Sequence, residues 1–262
     1  MSEMEKDLIV DAHKGILTLR INRPKVNALT TDVVRSMLEV LRQADRDEQV
    51  RVVVLTGTGS VFSAGQDLTE VKRAEDTSFR YHLQRTYNPL VLQIRRLEKP
   101  VIAAINGAVS GAAFGVALAC DLRIAAENAR IVVGFLGIGL APDSAISVLL
   151  PAVVGLGRAT EYAFTNCSIN AQEALTLGLV NRVVPAAELE SQTTALAASL
   201  ANGPVHAMGL TKRAFNKAVL PHLEEVLDYE AHIQDIAGRG DEHKEGVRAF
   251  LEKRPASFYP LK

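Results

Sequence analysis

Residues 99–129 read KPVIAAINGAVSGAAFGVALACDLRIAAENA. From Val101 to Cys120 the run carries no charge, and Gly107, Gly111 and Gly115 recur every four residues, which matches the length and small-residue rhythm of a membrane span. Its interior argues otherwise. Asn106-Gly107 is a turn pair near the middle, Ser110 follows it, and the β-branched start favours an extended chain. The stretch therefore divides into a short strand at 101–105, a glycine-bearing turn and a helix, with further strands expected at 122–125 and 131–133.

The same unit recurs upstream. Residues 50–56, VRVVVLT, form a β-branched run stopped by Gly57-Thr58-Gly59, as expected of a strand covered on both faces in a parallel sheet. Before it, 8–12 and 16–21 predict a hairpin, with alternating faces in ILTLRI. A helix starts at Thr31-Asp32, with Val34, Met37, Leu38 and Leu41 at i, i+3, i+4 and i+7. After Pro151 the pattern turns helical, at 157–165, 171–177, 188–201, 205–219, 222–236 and 241–252. This divides the chain into an α/β core over 1–187 and a C-terminal helical region over 188–262.

Composition excludes several function classes. The 262 residues are 48% apolar and 23% charged, which suits a globular core. Lys+Arg 29 against Asp+Glu 30 leaves no basic excess for nucleic acid. Cys120 and Cys167 build no disulfide framework, and no Cys/His cluster suggests a metal. The stretch MSEMEKDLIVDAHKG lacks the basic and apolar regions of a signal peptide, so the expectation is a cytoplasmic protein without membrane contact.

Three motif tests fail. Gly57-Thr58-Gly59 has Phe62 where a dinucleotide fingerprint needs its third glycine, and no P-loop lysine follows. Residues 107–111 place the serine one position late for a nucleophile elbow. The six histidines lie in polar or helical contexts that read as mostly solvated. Two glycine turns after strands remain, Phe62-Ser63-Ala64-Gly65-Gln66-Asp67-Leu68 and 106–115. Both read as tight turns with close helix packing, or as sites where backbone N–H groups meet developing negative charge.

At these residues the chain resembles the crotonase, or enoyl-CoA hydratase/isomerase, superfamily. The resemblance spans about residues 8 to 260 and rests on Asn22-Arg23-Pro24 with Asn27-Ala28-Leu29, FSAGQDL at 62–68, the 99–129 stretch and SINAQEALTLGLVNRVV at 168–184. It implies a crotonase-like spiral of ββα units, with a C-terminal helical oligomerisation region that makes a homotrimer or homohexamer. It also implies an acyl-CoA thioester as substrate, with no cofactor beyond that coenzyme A, and an enolate held by two backbone N–H groups. Carried over, those donors are Gln66 and Ala112. Ala64, Asp67 and Leu68 would line the CoA path, with Lys25, Val26 and Ala28 near the adenine and pantetheine. Lys253 or Arg254 would supply a cation for a CoA phosphate.

The hydratases of the family use two glutamates, and the matching positions here are Gly115 and Phe135. Downstream, Asp143 in Gly139-Leu140-Ala141-Pro142-Asp143-Ser144 stands where a subset of the family has an acid. It is the sole charge in residues 131–150, so its pKa is expected to rise, as suits a base that returns its proton. Asp143-Ser144 also reads as the N-cap of a helix beginning at AISVLL.

One acid moving a proton between carbons implies an isomerase, most similar to the phenylacetate-pathway and Δ3,Δ2-enoyl-CoA isomerases. The alternatives are a hydratase or acyl-CoA hydrolase using Asp143, and a CoA-binding paralogue without activity. Residues 69–97, with Phe79, Tyr81, His82, Tyr87, Leu90 and Leu92, would roof the acyl pocket or simply pack. The apolar stripe of Leu189, Ala195 and Leu200 is expected to face a neighbouring subunit.

Overall fold

The computed structural model describes residues 7–73 and 78–259. Two sheets organise it. The larger has six strands in the order β1-β2-β3-β5-β7-β10: β1 Leu8–His13, β2 Ile16–Ile21, β3 Val52–Gly57, β5 Val101–Ile105, β7 Leu122–Ala126 and β10 Arg182–Val184. Only β1 and β2 pair antiparallel in it. The smaller has the order β4-β6-β8-β9: β4 Val61–Ser63, β6 Ala108–Ser110, β8 Arg130–Val132 and β9 Ile169–Asn170. Successive turns of chain, β3 with β4, β5 with β6 and β7 with β8, each give one strand to each sheet. Helical segments follow each pair, so the chain climbs as a spiral of ββα turns.

The continuous apolar strands are explained by cover on both faces. Val53, Leu55, Ala103, Ile105 and Ala125 join one core with Phe62, Val109 and Ile131 of the smaller sheet. Val52, Val54, Ile102, Ala104, Ile124 and Ala126 meet Leu189, Ala197 and Ala201 on the other side. Those last three belong to helix Leu189–Ala201, which packs on the outer face of the large sheet. This corrects the expectation for the stripe: Leu189 is buried against the chain's own sheet and Leu200 packs there too, while Ala195 is exposed.

The 99–129 stretch resolves into β5, the Asn106-Gly107 turn, β6, the wholly buried helix Ala112–Ala119 and β7. Among the described residues no helix is long and apolar enough to cross a membrane. Three strands of the smaller sheet, β4, β6 and β9, were not expected, and nor was β10. With two or three residues each, they are too short to show a period. Helix Leu223–Gly238 lies against helices Phe79–Arg85 and Tyr87–Arg96, joined by Asn88 Nδ2 donating to Leu227 O at 3.0 Å and Ser78 Oγ donating to Asp235 Oδ1 at 2.6 Å.

Candidate active site

The parallel pairing of β4 and β6 sets the two glycine turns side by side. Gly65 and Gly111 both have positive φ, 90° and 59°. A Cβ on Gly65 would lie 2.8 Å from Ser110 O and 3.5 Å from Ala112 N, so only glycine permits this approach. The strap 26–29 runs alongside: Ala64 N donates to Val26 O at 3.0 Å, Leu29 N to Gly65 O at 2.7 Å, and Asp67 N to Leu29 O at 2.9 Å. This ladder passes over Gln66. Among the described residues neither the Gln66 nor the Ala112 N–H has an acceptor. The Ala112 N–H also opens a helix, where the backbone dipoles favour negative charge.

The structure thus brings Gln66, Ala112, Ala64, Val26 and Ala28 together, with the exposed Lys25 at the head of the strap and Leu68 opening helix Leu68–Arg73. Asp67 differs from expectation. Its carboxylate accepts from Arg23 Nη1 at 2.8 Å and from Thr69 N and Oγ1 at 3.0 and 2.7 Å, and Arg23 Nη1 also holds Ala28 O at 2.8 Å. Burial pushes the Asp67 carboxyl up, but these hydrogen bonds hold it below its ordinary range. Asp67 ties the strap to the turn, and its side chain is already occupied. Lys253 is exposed, at the left-handed C-cap of helix Asp241–Glu252, and no hydrogen bond or ion pair joins it to the strap among the described residues. Arg254 pairs with Glu245 at 2.6 Å and Glu252 at 2.6 Å, so it is not an unengaged cation.

Asp143 is buried, at 4% exposure. Ser144 Oγ donates to its Oδ1 and Gln234 Nε2 to its Oδ2, each at 2.7 Å. Burial pushes its pKa up to about 6, against the pull of the two hydrogen bonds. It is not the N-cap. Helix Ile146–Val154 follows two left-handed residues, Ser144 and Ala145, and its first N–H groups are capped from another helix. Glu230 Oε2 accepts from Ala145 N at 2.8 Å, while Oε1 accepts from Ser147 N at 3.0 Å and from Ser147 Oγ. Burial raises Glu230 to about 7, with Asp143 adding to the rise.

Sequence reasoning missed Glu230 and Gln234. They lie on the buried face of Leu223–Gly238 that also carries Leu223, Leu227 and Ala231, and two polar residues inside that apolar stripe were the available signal. The histidines are mostly exposed, as expected, at positions 13, 206, 222 and 232, but His243 is buried with Nδ1 2.8 Å from Ile138 O and its ring edge-on to Phe79.

The two glutamate positions are closed. A Cβ on Gly115 would lie 2.5 Å from Ser144 O, so the space is filled by the backbone beside Asp143. Phe135 is buried in the core. The Gly115 contact also sets Asp143 beside the first turn of the helix that begins at Ala112. Of the residues expected to roof the site, Tyr87 and Leu90 are core, and Tyr81 is exposed with the Arg85 guanidinium 4.0 Å from its ring centroid. Positions 74–77 of that segment lie outside the described residues. The Tyr87 hydroxyl is buried with no hydrogen-bond partner among the described residues, and burial together with Asp143, Glu70 and Asp67 holds it well above the ordinary phenol range. Asp143 is a buried carboxylate near neutrality, and its neighbour Glu230 is committed to the N–H groups of residues 145 and 147, so Asp143 is the acid equipped to move a proton.

The family described as Enoyl-CoA hydratase/isomerase matches residues 11–260. The 1,2-epoxyphenylacetyl-CoA isomerase of Escherichia coli is 37% identical over 260 residues, covering 97% of this chain and 99% of that protein. A probable enoyl-CoA hydratase of Rhodobacter capsulatus is 39% identical over 246 residues, covering 94% and 95%. Among solved structures, an enoyl-CoA hydratase from Mycobacterium avium subsp. paratuberculosis superposes with a TM-score of 0.88 at 35% identity, over 96% of this chain and 98% of that one.

Proposed function

Because this chain belongs to the enoyl-CoA hydratase/isomerase family of enzymes, we propose that it isomerises an acyl-CoA thioester by carrying one proton between two carbons. The substrate is an enoyl-CoA whose double bond shifts, or a ring-type CoA thioester of the kind named for the Escherichia coli relative. Asp143 takes the α proton, the N–H groups of Gln66 and Ala112 hold the enolate oxygen, and Asp143 returns the proton at the γ carbon. Lys25, Val26, Ala28, Ala64 and Leu68 line the path of the coenzyme A, and the substrate brings the only cofactor. The enzyme works in the cytoplasm as a homotrimer or homohexamer.

One observation carries this reading: Asp143 is a buried carboxylate held by Ser144 and Gln234, its neighbour Glu230 is taken up by the N–H groups of residues 145 and 147, and positions 115 and 135 bear glycine and phenylalanine. Hydration in this family's manner needs a second carboxylate on the attacking water, and an isomerisation needs a single acid. The test is a product assay in deuterated buffer with 3-enoyl-, 2-enoyl- and aromatic ring-type CoA thioesters. Isomers with no hydroxyacyl product are expected, solvent deuterium entering only to the extent that the Asp143 carboxyl exchanges before it returns the proton. Asp143→Asn should lose ~10²–10⁴-fold in kcat while binding thioesters as before, because the amide keeps the shape and loses the basicity. Efficient hydration of crotonyl-CoA would replace this reading with the hydratase. Tight thioester binding without any α-proton exchange would make the chain a binding paralogue.

A further inference from the structure

A single amide decides which oxygen of Asp143 can carry a proton. Gln234 Oε1 accepts from the backbone N–H of Ala141 at 3.2 Å, and Nε2 donates to Asp143 Oδ2 at 2.7 Å. A backbone N–H can only donate, so it fixes the oxygen end of the amide on Ala141 and turns the nitrogen end onto Asp143. Gln234 is itself buried, at 1% exposure, on a helix anchored by Asn88 at Leu227 O and by Glu230 at residues 145–147. Oδ2 is therefore held as an acceptor. Oδ1 faces the hydroxyl of Ser144, which can turn from donor to acceptor when that oxygen becomes protonated.

We infer that Gln234 is the positioning residue of the reaction, keeping Asp143 Oδ2 proton-free so that Oδ1 both takes and returns the proton. The inference rests on the proposed role of Asp143 as the base. In the first step the Cα–H bond breaks, its electron pair passes into the thioester enolate, and an O–H bond forms at Oδ1. In the second the dienolate's electrons form a C–H bond at the γ carbon as the thioester carbonyl is restored and the double bond is left between Cα and Cβ, and the O–H bond breaks with its pair kept on Oδ1, so Asp143 is again a carboxylate. One oxygen serving both carbons delivers both transfers on one face of the substrate.

Gln234 also bears on the pH at which Asp143 becomes a base. Among the described residues the titratable groups that face Asp143 are Glu230, from the helix of Gln234, and Tyr87, from helix Tyr87–Arg96. Both are acids, so the stabilisation of the carboxylate comes from the neutral donors Gln234 and Ser144. Losing a donor to the anion raises a carboxyl pKa.

The experiment follows the Asp143 carboxyl by 13C NMR in aspartate-labelled protein, identified by its absence in Asp143→Asn, alongside α-proton exchange of phenylacetyl-CoA in deuterated water. In Gln234→Leu the Asp143 midpoint should rise by about one pH unit, and the acid limb of exchange should rise with it. Exchange above that limb should fall ~10²-fold, as for a displaced base, with thioester affinity unchanged. Gln234→Glu keeps the Ala141 hydrogen bond and guards against a failure of the leucine variant to fold. Its carboxyl shares a proton with Oδ2, so Asp143 should titrate in two coupled steps. An unmoved midpoint and limb in either folded variant overturns the inference. A wild-type protein that titrates as described but exchanges no α proton defeats the isomerase reading instead, since the midpoint is measured without substrate.

Discussion

Asp143 is a carboxylate that the folded chain would rather keep protonated. Its pKa rises from 3.8 to about 6 because burial disfavours the charge more than Ser144 and Gln234 support it. The folded state then binds the proton more tightly than the unfolded chain does. The resulting stability is complete below the unfolded value and is lost as pH rises through about 6. On the proposed mechanism activity runs the other way, since Asp143 must be ionised to take a proton, so kcat/KM should climb through the same window and level off above it. Asp143→Asn removes the titration, and relative to wild type it should gain up to about 3 kcal/mol between pH 4 and pH 8. Calorimetry at those two pH values reads the difference in Tm between variant and wild type. A difference that does not grow with pH would mean that this acid is not held out of water.

At the scale of the element, the helix Ala112–Ala119 ties the Gly111 turn to the segment that carries Asp143. Its first N–H belongs to Ala112, and one turn on, Gly115 leaves room for the Ser144 backbone next to Asp143. Gly115→Ala introduces a methyl 2.5 Å from Ser144 O, and backbone on both sides cannot yield as a flexible side chain would. We expect a loss of about 1–3 kcal/mol in stability from overpacking, read in denaturant, together with a slower α-proton exchange because Asp143 moves. Wild-type exchange in a folded Gly115→Ala variant would separate the helix from the geometry of the base. The same helix shows how legible the sequence was at this scale. Its small apolar residues after Asn106-Gly107 announced a strand, a turn and a buried helix. The three-residue β6 between them left no period to read, although its pairing with β4 aligns the two turns.

For the whole molecule, the large sheet is covered on one face by the core and on the other by Leu189–Ala201, and apart from Ile9 and Val10 on its edge strand β1 the exposed large apolar residues lie off that sheet. Phe215 and Val219 stand out on helix Val205–Val219, Tyr229 and Ile236 on Leu223–Gly238, and Phe250 and Leu251 on Asp241–Glu252. A face of this kind invites cover by further copies. Light scattering should give three or six times the mass of the 262-residue chain, and Phe215→Glu combined with Phe250→Glu should reduce it. A stable wild-type monomer would rule the assembly out. Glu230 and Gln234 lie on the buried side of the helix whose exposed side carries Tyr229 and Ile236, so an assembled neighbour would press on the helix that supports Asp143.

By itself the sequence determined the layered α/β plan and the family, and it singled out the two glycine turns and Asp143 as candidates. Each is written locally: a β-branched run with both faces apolar, a glycine where backbone must approach backbone, a lone acid in an uncharged stretch. The tertiary structure alone decided what surrounds that acid. Glu230 and Gln234 reach residues 141–147 from about ninety positions away, and no local pattern records a partner so distant. The same holds for Asp67, whose carboxylate is taken up by Arg23, and for Leu189, which packs against Val52, Val54 and Ile102 from strands far earlier in the chain. A side chain's role at such positions depends on which groups compete for it once water is excluded, and only packing brings those groups within reach.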